Sequence, residues 1–248
     1  MEKLKYYLQI ADNALILSHR LSEYCSHAPF LEEDLANSNV SLDLIGIAEN
    51  VYEEAAKMKG TNTTADDLVY RRDEHEYLNS LMVEQPNTDF AYLITRQFFT
   101  DAYHFYFFSL LLQSKDEKLV GIAQKAIKEI TYHLKRSSEW MVRLGQGTEL
   151  SNTKMQKAIH YLWRFNSDFF IESDTDKQMK AEGIGVDLMK VKEQWNQKIN
   201  EVFYLANLKK PTDEPTVGGG KRGMHTEHLG HLLANMQFLT NKYPEAIW

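Results

Sequence analysis

Apolar residues recur at three- and four-residue spacing along nearly the whole chain. That period is the signature of amphipathic helices and leaves no room for strand alternation. Leu8, Ala11, Leu15, Ser18, Ser22 and Cys25 predict a first helix ending before Pro29. A second spans Glu32 to Lys59 and stops at Gly60, and a shorter one covers Asp66 to Leu81 before Pro86-Asn87. Ile94, Phe98, Phe105, Phe108 and Leu112 mark a fourth helix. Leu119, Ala123, Ala126, Ile130, Leu134 and Met141 mark a fifth, which folds back at Lys115-Asp116. Ser151 caps a sixth through Phe170, a polar stretch with Gly183 and Gly185 follows, and a seventh runs from Asp187 to Leu208. Residues 209–223 hold Pro211, Pro215 and three successive glycines and form the clear irregular stretch; Thr226 then caps a final helix. Residues 1–248 are expected to form one all-α bundle.

Composition narrows the class further. Hydrophobic residues make up 43% of 248, charged residues 25%, and there are five prolines, as suits a well-cored helical protein. The net charge of −7, with no Lys/Arg-rich face, argues against nucleic-acid binding. The greasiest run, Phe105 to Leu112, is too short to span a bilayer, and Met1 to Lys5 carry no signal-peptide pattern. The single cysteine, Cys25, is read as a small core residue in a reducing, cytoplasmic protein.

The pattern with most chemical content lies on the fourth and fifth helices. Asp101 sits inside one apolar stripe, and Glu129 lies about as far past the turn as Asp101 lies before it. A carboxylate facing Glu-x-x-His is half of the di-iron site of ferritin-like bundles. Here Glu129 is followed by Tyr132 where the histidine would stand, with His133 one residue later. The first helix pair carries Asp43 with Gly46 at the histidine position, and no acid near Ser18. The positions Asp43, Gly46, Asp101, Glu129, Tyr132 and His133 therefore read as vestigial. The rival reading is a di-metal oxidase using Asp43, Asp101, Glu129 and His133 at altered spacing. A third is an unrelated helical binding protein.

Other motifs fall short. Asp101 and His104 read as a buried pair. His75-Glu76 lacks the second histidine of a zinc helix, since Asn79 stands there. Gly220-Lys221 is followed by Arg222 in place of the hydroxyl a phosphate loop needs. The Lys221–His231 segment, with flanking glycines and clustered histidines, is a candidate contact for a partner through Lys221, Arg222, His225, Glu227 and His228.

In this order the chain resembles the PaaC-type subunits of bacterial ring 1,2-phenylacetyl-CoA epoxidase. The resemblance spans nearly all of it: Asp12-Asn13, Leu17 to Leu21, His27-Ala28-Pro29, Leu42-Asp43-Leu44 with Gly46, Val83 to Asn87, Arg96-Gln97, Asp101, Lys125 to Glu129, Tyr132-His133-Leu134 and Leu162 to Phe165. The block Gly219 to Gly230 is the most specific. The resemblance implies a ferritin-like bundle with additional C-terminal helices and no cofactor of its own. It implies a PaaA-type partner carrying the di-iron centre, a small PaaB-type subunit and a reductase, together using NADPH and oxygen to epoxidise phenylacetyl-CoA. A homodimer of the isolated chain is compatible with it.

Overall fold

The computed structural model describes residues 1–212 and 215–246. Four long helices make its centre: α1 (Glu2–Ser22), α2 (Leu31–Lys59), α4 (Phe90–Leu111) and α5 (Glu117–Gly145), with the short α3 (Ala65–Tyr70) after α2. Around them lie α6 (Glu149–Trp163), α7 (Asp174–Glu182), α8 (Leu188–Leu205), α9 (Glu227–Met236) and α10 (Phe238–Lys242). No strand occurs among the described residues.

The register of the central helices follows from side-chain pairs. Ser18 meets Ser41, and Asp12 meets Tyr52. As one position moves back the other moves forward, so α1 and α2 run antiparallel. The α4–α5 hairpin is held at its turn by Asp116, which caps α5 at Lys118 and accepts from Tyr7 of α1. The two hairpins stack with α2 on α5, and Tyr6 of α1 faces Phe107 of α4.

Helix α4 is buried on nearly every side because α6 and α8 cover the face that the first hairpin leaves open. Phe99, Trp163, Trp195 and Phe203 interlock there at centroid separations of 5.7–6.2 Å. A helix apolar all round must be wrapped by others. Helix α5 is one-sided, with Leu119, Ala123, Ala126, Ile130, Leu134 and Met141 inward as its spacing foretells.

Four expectations are corrected. The helix expected over 66–81 stops at Tyr70, because acceptors distant in sequence take the backbone N–H groups that follow. Leu78 N donates to Asp12, Ser80 N to Asn13 and Leu81 N to Asp168, at 2.7–2.9 Å. A segment whose donors are satisfied this way gains nothing from helix. The sixth helix is capped by Thr148, with Ser151 closing the capping box, and becomes a 3₁₀ turn over Asn166–Phe170. The polar stretch before the seventh forms α7, capped by Ser173 and closed by left-handed Gly183. Cys25, expected in the core, lies exposed in the turn after α1.

Candidate functional site: a buried half-site and a C-terminal clamp

The apolar stripe of α5 is inward as expected, but the expected ligand positions on it are off by a single residue. Ile130 and His133 face the interior, each at most 1% exposed, while Tyr132 is 53% exposed and Glu129 lies at the surface. The helix-spaced pair inside the bundle is therefore Ile130-x-x-His133. The histidine stands at the inward position, and the carboxylate three residues before it is replaced by isoleucine. Tyr132 does not occupy that position; 3.6 residues per turn carry it out to solvent.

The first hairpin shows the same shift. Leu44 and Ile47 are buried, while Asp43 and Gly46 sit toward the α2–α5 edge. Across from them Ser18 Oγ donates to Ser41 O at 2.8 Å and Ser41 Oγ to Ser18 O at 2.9 Å. Two serines thus bridge the place where an acid on α1 would face α2.

Asp101 is the buried acid of this region. Gln97 Nε2 donates to its Oδ1 at 2.6 Å, and Oδ2 has no hydrogen-bond partner. Burial pushes the carboxyl up to about 6, against the opposing pull of His133, Ser137 and Gln97. His133 Nε2 donates to Asp43 Oδ2 at 2.9 Å, which leaves Nδ1 free inside. A carboxylate holding one nitrogen and leaving the other bare is how a metal-ligating histidine is oriented. His104 lies one turn from Asp101, and burial with the nearby His133 pushes it down to about 3. Glu129 is raised by desolvation and by the charge of Asp43.

This donor set does not fit two irons. Such a site takes a glutamate from each of two helices and Glu-x-x-His from two others. Here one acid is buried and two stand at the rim. Among the described residues no three His, Cys, Asp or Glu side chains converge as ligands.

The second polar assembly is the C-terminal block. Residues 218–228 lie on the irregular 72–85 segment and on the turn after α6. Gly219 N donates to Asp168 Oδ1 at 2.7 Å. A Cβ on Gly220 would stand 2.0 Å from Asn79 O, and one on Gly223, at φ +72°, 2.1 Å from His75 O. These glycines are required by close backbone approach. Lys221, 7% exposed at its side chain, pairs with buried Asp176 at 3.1 Å. His225 donates from both nitrogens, to Glu84 and to Tyr77 O, each at 2.9 Å. Burial disfavours its charge, but the bond to Glu84 and that carboxylate's charge prevail and raise its pKa. Thr226 N and Asn79 Nδ2 complete the Glu84 shell.

The expected contact set is therefore divided. Lys221 and His225 point inward and close the chain on itself, while Arg222 and Glu227 are exposed and the His228 carbonyl accepts from Arg20. Helical periodicity could not single out Glu84, Asp168 and Asp176 as acceptors for the C-terminal block, because the donors of that block lie 45–142 residues away in the chain.

The chain matches the family described as phenylacetic acid catabolic protein (PaaA_PaaC) over residues 1–248. It is 45% identical over 243 residues, 98% of both chains, to a subunit of the 1,2-phenylacetyl-CoA epoxidase of Escherichia coli (strain K12). With a four-helix centre and additional helices after it, the chain belongs to the phenylacetic acid catabolic protein family.

Proposed function

We propose that this chain is the non-catalytic scaffold subunit of a multicomponent di-iron monooxygenase that epoxidises phenylacetyl-CoA. Its partner is a PaaA-type subunit that holds the di-iron centre; a PaaB-type subunit and a reductase complete the complex in the cytoplasm. The observation that carries this reading is the interior register: Ile130 and Leu44 face inward, leaving Asp101 as the buried acid between the hairpins. Two irons would bring charge that one carboxylate cannot balance in a low-dielectric interior. The full-length likeness to a protein named as one subunit of such an epoxidase supplies the reaction. No described helix is long and apolar enough to cross a membrane, which is compatible with that location.

The second reading, a chain with its own metal, has one observation in its favour: Asp101 Oδ2 and His133 Nδ1 are both buried and unpartnered. Anaerobic incubation with ferrous iron followed by mass-spectrometric metal analysis separates the two. Less than about 0.1 iron per chain is expected; about two per chain would make this a catalytic subunit.

A further inference from the structure

The rim acids Asp43 and Glu129 lie at the α2–α5 edge, beside an outer stripe of α2 that is apolar where a free helix surface is ordinarily polar. Leu31, Leu35, Leu42 and Ile45 are 70%, 57%, 66% and 39% exposed. At 3.6 residues per turn they fall within an arc of about 80°. They therefore form one stripe along α2, opposite its core side. Single exposed leucines need no explanation, but a contiguous stripe of this kind marks an interaction surface.

The stripe has a notch at its edge toward α5. Gly46 lies one turn beyond Leu42, and a Cβ added there would meet nothing within 4 Å. One turn back stands Asp43, held by His133. Asp43 acts on Glu129 through its charge. Among the described residues neither acid has a Lys or Arg ion-pair partner. Two carboxylates beside an open notch at the edge of an apolar stripe match a cation from outside the chain.

We propose that the α2–α5 face docks a helical subunit of the same family, and that a Lys or Arg of that subunit enters the notch over Gly46 between Asp43 and Glu129. The acids left from a metal-site architecture then serve recognition: the apolar stripe supplies the contact area, and the acid pair sets register and rejects partners lacking the cation. This rests on the subunit reading above and goes further by naming the face and the chemistry of what it receives. Because Gly46 faces open space, a large side chain there leaves the chain folded and fills only the notch.

The test mixes the purified chain with the iron-bearing catalytic subunit of its complex and measures the dissociation constant by sedimentation at low and high salt. Gly46→Trp is expected to weaken binding at least 100-fold with unchanged circular dichroism and a melting temperature no lower than the parent's. Glu129→Lys, at an exposed position, is expected to weaken it at least tenfold and to flatten its salt dependence. Leu42→Asp with Ile45→Asp should abolish it. Binding at full strength by Gly46→Trp and Glu129→Lys would overturn the proposed face while leaving the subunit reading intact. Failure of the unmodified chain to bind the catalytic subunit would overturn the subunit reading, and this proposal with it.

Discussion

Two regions of this molecule bury acids, and they treat them in opposite ways. In the C-terminal clamp and the network beside it, Glu84, Asp168 and Asp12 accept from backbone N–H groups or cationic side chains on both oxygens. In the half-site between α4 and α5, Asp101 has one bonded oxygen and one bare one. The first arrangement is cohesive, because each buried charge is returned its lost hydration by fixed donors. The second is costly, since burial without full pairing disfavours the ionised form. A chain that tolerates both shows that a helical bundle can carry an under-paired buried acid and keep its packing when the surrounding segments are locked elsewhere.

The sharpest break of this comparison is removal of the clamp's centre. Glu84→Ala strips partners from His225, Thr226 N and Asn79, and should cost about 3–5 kcal/mol. Urea unfolding measures it; a loss below about 1 kcal/mol would show that the clamp is not cohesive. The half-site should answer with the opposite sign. Asp101→Asn keeps the shape and removes the buried charge. A carboxyl whose folded pKa is raised from 3.8 to about 6 destabilises the fold once ionised, so the cost is full above about pH 6 and absent below about pH 4. The variant should therefore gain up to about 3 kcal/mol at pH 8, with the gain vanishing as pH falls to 4. A variant less stable than the parent at pH 8 would contradict the contrast.

Two glycines sharpen it at smaller scale. Gly220→Ala forces a methyl against Asn79 O and should cost about 1–3 kcal/mol. Gly46→Ala sits mid-helix in open space and should gain about 0.5–1 kcal/mol. Thermal melts of the two variants compare them directly. The smallest effect is in pH. The raised folded pKa of His225 means its contribution is fully present below its unfolded value of about 6.5 and is lost as pH rises through the folded pKa. Proteolysis in the 215–226 segment should quicken over that rise, and His225→Gln should abolish the dependence.

Much of the bundle was legible before any coordinates. The α1–α2 and α4–α5 hairpins, the fold-back at Lys115-Asp116 and the inward stripe of α5 emerge from spacing alone, because a helix repeats its core contacts every three to four residues. The family resemblance likewise rests on local blocks of sequence. The site was legible only to within one residue. A motif read on a line assigned Tyr132 to the interior, and about 100° of helix rotation gave that place to His133. Ser18, expected only as an absence of acid, forms a bridge with Ser41.

The amino-acid order by itself determined the all-α class and the long hairpins, since these depend on local periodicity. Only the tertiary structure decided that 71–89 would not be α-helical, that Lys221 and His225 would turn inward and that Leu31, Leu35, Leu42 and Ile45 would face out. The first two depend on partners far along the chain, and the third on how the helices pack around α2. A donor chooses between helix and a distant carboxylate by which satisfies it better once folding has brought both within reach.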